Sequence, residues 1–150
     1  MPERASCRKI CMASDTFHST STIKHPKHSK GCTMQEFTGS CHCGAIRFTF
    51  RAAAIDKGLR CNCSICRRKG ALMSAFTVAA EDLAIDAAND ALATYHFGTG
   101  KAHHHFCKHC GIYPFHQTMR KPGHYRINLG CVEGVDSCAL PFEVYDGASL

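Results

Sequence analysis

Tryptophan is absent from this chain of 150 residues, and no apolar run approaches the roughly 20 residues that a membrane-crossing helix needs. The N-terminal stretch also lacks the apolar segment of a secretory signal. That absence argues against a secreted framework bridged by disulfides and predicts a reducing, cytoplasmic setting. No continuous basic stripe with interleaved aromatics is present, which argues against a domain devoted to nucleic acid despite a formal charge of +6. No internal repeat is found, and one domain with a tail accounts for the length. The chain does hold 12 cysteines and 11 histidines, an excess of metal-ligand chemistry.

Seven of the cysteines fall in three short clusters: Cys41-His42-Cys43, Cys61-Asn62-Cys63-Ser64-Ile65-Cys66 and Cys107-Lys108-His109-Cys110. Thiols separated by one or two residues can chelate one ion, because the backbone between them turns both sulfurs to one side. They are too close in sequence to bridge each other comfortably. Zinc takes such soft ligands in tetrahedral array at roughly 2.3 Å. Seven thiols divide into four plus three, a closed structural site and one with an open position. Spacing does not say which clusters share an ion. Pairing 41/43 with 107/110 leaves Cys61, Cys63 and Cys66 as the open site, whereas adding Cys131 or a histidine to 61/63/66 closes that site too. Gly44 and Gly111, each just after a cluster, suit the tight turns of ligand loops.

Hydrophobic alternation predicts a mainly β domain over residues 37–150. Strands are expected at 45–51, 72–78, 125–129 and 141–144, with a hairpin of 91–97 and 101–106 about Gly98-Thr99-Gly100. One short helical turn is expected at 80–86. Residues 1–36 are rich in Ser, Thr, Lys and His and lack periodicity, so they read as a basic, disordered tail. A start assigned too early, given Met12 and Met34, or a targeting segment are the competing readings. Cys7, Cys11 and Cys32 are expected to stay outside the zinc sites.

The stretches Gly39 to Phe48, Cys61 to Gly70, Phe97 to Gly100, His105 to Ile112, Pro114-Phe115 and Asn128 to Cys131 identify a resemblance. Residues 39–134 resemble the glutathione-dependent formaldehyde-activating enzyme family, which also includes centromere protein V. The resemblance implies a zinc-bearing β-tent of small antiparallel sheets and two zinc ions per chain. The structural zinc would be held by Cys41, Cys43, Cys107 and Cys110, and the catalytic zinc by Cys61, Cys63 and Cys66. It further implies a carbon–sulfur lyase that joins glutathione, the thiol co-substrate, to formaldehyde or cleaves the adduct. The alternative is a non-catalytic, zinc-dependent binding module whose tail reaches nucleic acid or chromatin.

Arg67 and Arg68, with Lys69, directly follow the three-cysteine cluster. They are candidates to hold the carboxylates of glutathione; a solvated basic loop is the plainer reading. His103, His104 and His105 alternate faces if they lie on a strand. His105 is either a proton carrier near the open metal or a structural residue, while His42 and His109 are expected to point away from the ion. Cys131 is either an auxiliary thiol or a small buried apolar residue.

Overall fold

The computed structural model describes residues 33–149, so the expectations for the tail up to Cys32 lie outside the described residues. In chain order the strands are β1 (Gln35–Ser40), β2 (Ile46–Ala52), β3 (Gly58–Cys61), β4 (Met73–Ser74), β5 (Val78–Ala79), β6 (Leu83–Ala87), β7 (Leu92–Tyr95), β8 (His103–Cys107), β9 (Phe115–Gln117), β10 (His124–Ile127) and β11 (Phe142–Tyr145). One helical turn, α1 (Cys66–Lys69), lies between β3 and β4. The domain is mainly β, as expected, and β1 starts at Gln35, two residues ahead of the boundary expected from composition.

Three small sheets result, ordered β1-β2-β6, β5-β10-β9-β8-β7 and β11-β3-β4. Every pairing within them is antiparallel except β11 with β3, which is parallel. Period-2 patterning explains the core. Ile46, Phe48, Phe50 and Ala52 all point inward from β2, while Arg47 and Arg51 point out. These side chains meet Phe115, Ile127 and Leu129, all fully buried, and Phe48 packs edge-to-face on Phe115 at 5.6 Å between ring centroids. Phenylalanines supply the bulk that tryptophan does not.

Two local expectations are corrected. The apolar stretch 72–78 is not one strand: Met73–Ser74 joins β3, whereas Val78–Ala79 joins β10 in another sheet. Between them the carbonyls of Ser74, Ala75 and Phe76 all turn to the guanidinium of Arg126, at 2.6, 2.9 and 3.3 Å. A charged donor satisfies backbone acceptors that a ladder would otherwise engage. The helical turn expected at 80–86 is a 3-10 turn over Ala80–Asp82, after which Leu83–Ala87 runs as a strand against β2. There the unpaired edge of β2 and burial of Leu83 override local helix propensity.

Candidate metal centres and the adjoining cavity

The turn between β1 and β2 and the turn after β8 have similar construction. In the first, Cys41 N–H donates to Ile46 O at 2.9 Å and Gly44 N–H to Cys41 O at 3.0 Å. In the second, Cys107 N–H donates to Ile112 O and Gly111 N–H to Cys107 O, both at 2.8 Å. Gly44 and Gly111 adopt φ of +77° and +74°, conformations that a side chain would strain. Each turn thus points two sulfurs the same way. Cys41, Cys43, Cys107 and Cys110 bring their sulfurs within 4.8 Å of one another.

The sulfur of Cys43 lies 3.6 Å from that of Cys41 and 3.7 Å from that of Cys107. A tetrahedron with metal–sulfur bonds of about 2.3 Å has edges of about 3.8 Å, so these spacings suit a zinc ion. The thiols also share protons unevenly. At Cys43 the N–H of Ala45 favours the thiolate, but burial and the neighbouring thiols prevail and push it up to about 12. At Cys110 burial favours the thiol, yet the N–H groups of Ile112 and Cys43 and the sulfurs around it pull it down to about 6. The N–H of Ile46 reaches the Cys41 sulfur at 3.3 Å. Donors aimed at sulfur stabilise a thiolate, the form in which cysteine ligates.

Cys61 closes β3, Cys63 occupies the following turn and Cys66 opens α1. All three are half-buried, with sulfurs within 4.8 Å of one another. Among the described residues no further His, Cys, Asp or Glu joins either group, which leaves four donors in the first and three in the second. Cys131 is therefore outside both; burial pushes its thiol up to about 11, reinforced by the sulfurs of Cys41 and Cys110. Within the trio, burial raises Cys61 and Cys66. At Cys63 burial is outweighed by the N–H groups of Cys66 and Ile65 and by the adjacent thiols, so its thiol is the lowered one.

The C-terminal segment secures this loop. Asn62 N–H donates to Tyr145 O at 3.2 Å, its side-chain amide donates to Asp146 Oδ1 at 2.8 Å, and its amide oxygen accepts from Ala148 N–H at 2.8 Å. Lys57 bonds Glu143 at 2.6 Å at the opposite end of the β3–β11 pair. Gly147 lies so close that a Cβ there would come within 2.5 Å of the Cys61 sulfur and 3.1 Å of Cys63 Cβ.

Beside α1 is an open cavity of about 490 Å³ whose walls include Lys69, Tyr95, Phe106, Ile112, Tyr113 and Asn128. Arg67 and Arg68 are exposed and do not line it, and Arg68 donates to Ser64 O at 2.5 Å. Lys69 is the basic residue of this loop that faces the cavity. Its ammonium sits 3.3 Å above the centroid of the Tyr113 ring, and burial pulls it down to about 8, against the opposing influence of the Cys66 sulfur.

Tyr113 is buried, and its hydroxyl bonds His116 Nδ1 at 2.5 Å and His104 Nδ1 at 3.4 Å. Burial raises the Tyr113 hydroxyl, and the sulfurs of Cys66, Cys63 and Cys61 add to that, which puts this network in the field of the three-thiol group. Burial pulls His116 down to about 3 and His104 to about 4, so both imidazoles are neutral at pH 7. His105 lies on the opposite face of β8 from His104, with Nδ1 2.9 Å from Thr94 Oγ1. His42 and His109 are exposed. Tyr113 escapes a reading of ligand spacing because it is not a zinc ligand. The signal that could have found it is the cross-strand pair of His104 and His116, two imidazoles facing one side of the sheet three residues from a tyrosine.

Turns that gather four thiols at one place and three at another define a class: small β proteins whose cysteine groups can each hold a zinc ion. Residues 36–147 match the family described as glutathione-dependent formaldehyde-activating enzyme, and the chain belongs to that family. A crystal structure of a Rhodobacter sphaeroides protein is similar, with 36% identity and a TM-score of 0.64, covering 71% of this chain and 99% of that one. Among the described residues no helix is long and apolar enough to cross a membrane.

Proposed function

We propose that the protein is a carbon–sulfur lyase acting on glutathione–aldehyde adducts, of the S-(hydroxymethyl)glutathione synthase type. The observation that carries the reading is the asymmetry of the two thiol groups. Four thiols, two of them buried in the core, match the ligand number of a closed zinc site, while three half-buried thiols supply one donor too few. In this reading each group holds one zinc. At the three-thiol site a bound zinc supplies a position that holds an incoming thiol as thiolate, since coordination lowers a thiol's pKa.

The chain's residues do the rest. Cys61, Cys63 and Cys66 are the soft donors, and the N–H groups over Cys63 favour its thiolate form. Arg67 and Arg68, exposed on α1, hold carboxylates of glutathione. In the adding direction the glutathione sulfur attacks the aldehyde carbon, a C–S bond forms, and the π pair of the carbonyl moves to oxygen, which takes up a proton. Cleavage is the reverse.

Zinc per chain and adduct cleavage, measured in the wild type and in Cys63→Ser, test the reading. It expects two zinc ions in the wild type, and in Cys63→Ser a folded protein with one zinc and no activity. Unchanged activity in Cys63→Ser, or loss of both ions from that single change, would overturn it.

A further inference from the structure

We propose that Lys69 and Tyr113 together hold the aldehyde-derived oxygen of the adduct, with His116 and His104 positioning the tyrosine hydroxyl. The inference rests on the carbon–sulfur reading above and assigns the group that handles the second reacting atom.

C–S bond formation at a carbonyl puts negative charge on oxygen, and C–S cleavage of a hydroxyalkyl adduct requires that same oxygen to shed its proton. The sulfur end is served by the three-thiol group. The oxygen end requires donors near that group, and the cavity one helical turn beyond Cys66 holds one cation and one buried hydroxyl residue, Lys69 and Tyr113. No carboxylate is among the cavity's walls to neutralise that lysine. One turn of helix ties the pair to the three-thiol group, because Lys69 stands three positions after Cys66 on α1. Both residues line the cavity. The sulfurs of Cys61, Cys63 and Cys66 act electrostatically on Tyr113, and that of Cys66 acts on Lys69. And the stack of Lys69 on the tyrosine ring brings a cation and a hydroxyl donor into one unit.

The tyrosine is held from behind. Its hydroxyl lies between Nδ1 of His116 and Nδ1 of His104, on neighbouring strands whose register makes the two histidines direct partners. A His116 tautomer protonated at Nδ1 donates to the hydroxyl oxygen and leaves the hydroxyl proton free for the adduct. His104 is 3% exposed, and its Nε2 is buried with no partner among the described residues, so the network has room for one more polar atom. In the adding direction, as the sulfur–carbon bond forms and the π pair reaches oxygen, the Lys69 ammonium and the Tyr113 hydroxyl donate hydrogen bonds to that oxygen. Lys69 then releases its proton to it and recovers one from water. In cleavage the neutral amine of Lys69 takes the hydroxyl proton, the C=O bond forms and the electron pair of the C–S bond leaves with sulfur. Preorganised donors of this kind act in the transition state more than in the ground state.

The test compares zinc-loaded wild type with Lys69→Met, Lys69→Arg, Tyr113→Phe and Cys63→Ser. The measurements are zinc per chain, glutathione affinity by calorimetry and steady-state cleavage of the hydroxymethyl adduct. Lys69→Met and Tyr113→Phe are expected to keep wild-type zinc content and to bind glutathione within about twofold, while kcat falls about a hundredfold, the usual loss for one such donor. Lys69→Arg should recover part of the lost kcat. A kcat within about threefold of wild type in both variants would overturn the assignment. So would a loss confined to glutathione affinity, which would make Lys69 an anchor for a substrate carboxylate. Activity that survives Cys63→Ser would overturn the carbon–sulfur reading and this inference with it.

Discussion

The Tyr113 hydroxyl stands 2.5 Å from Nδ1 of His116, close enough for a strong hydrogen bond between two groups whose burial keeps both uncharged. A buried polar group that loses its hydrogen-bond partner is left with the desolvation penalty, about 1 to 3 kcal/mol. Tyr113→Phe is therefore expected to destabilise the fold by that amount, read from urea unfolding at pH 7, and still leave it folded. A change below about 0.5 kcal/mol would mean that water replaces the hydroxyl.

His104 gives the fold a dependence on acidity. Its pKa is about 4 in the folded protein, below the 6.5 of an ordinary histidine. Between those values the unfolded chain binds the extra proton, so stability falls as pH drops from 6.5 towards 4. For a residue this buried the difference is on the order of 2 kcal/mol. Protonation of metal ligands acts in the same direction, so the comparison is with His104→Phe, in which stability should fall less steeply over the same window. Equal slopes would show that His104 takes up its proton in the folded state.

Gly147→Ala isolates the three-thiol group. The added Cβ would stand 2.5 Å from the Cys61 sulfur, and the segment that carries it is tied down by Asn62. The variant is expected to lose zinc from that group and to retain it at the four-thiol group, with the unfolding midpoint close to wild type. Full zinc content would mean that the 145–148 turn gives way instead.

Cys107→Ser should not yield a folded domain at all. Structural zinc contributes on the order of 10 kcal/mol, as much as the whole net stability of a typical domain, about 5 to 15 kcal/mol. The expected outcome is a collapsed amide spectrum and loss of ellipticity for Cys107→Ser. Cys63→Ser should retain native spectra.

The sulfur geometry was largely legible before the fold was known. C-x-C and C-x-x-C spacings dictate short-range turns, and the four-plus-three division follows from ligand number once the right clusters are paired. The strand expected at 45–51 lies at Ile46–Ala52, because strict alternation leaves it one buried face. The hairpin about Gly98-Thr99-Gly100 forms between Leu92–Tyr95 and His103–Cys107. Residues 72–87 were less legible, since their fate depends on Arg126 and on the free edge of β2, which are distant in sequence. The helical turn at Cys66–Lys69 was hidden for another reason: its residues are chosen as ligands and charges and show no hydrophobic period. A guanidinium binds carboxylate bidentately, which favours Arg67 and Arg68 from sequence, but one turn of helix puts Lys69, three positions after Cys66, on the cavity side.

Parallel pairing of β11 with β3 also sets a timetable for the molecule. Cys61, Cys63 and Cys66 are neighbours in the chain, yet the loop that carries them is fastened by Tyr145, Asp146 and Ala148. A ribosome delivers those residues long after the cysteines and also after Cys107 and Cys110. The four-thiol cluster can thus assemble while the chain is still being made, and the three-thiol loop takes its final shape last. During synthesis the four-thiol turns therefore precede the 145–148 segment that fastens the three-thiol loop.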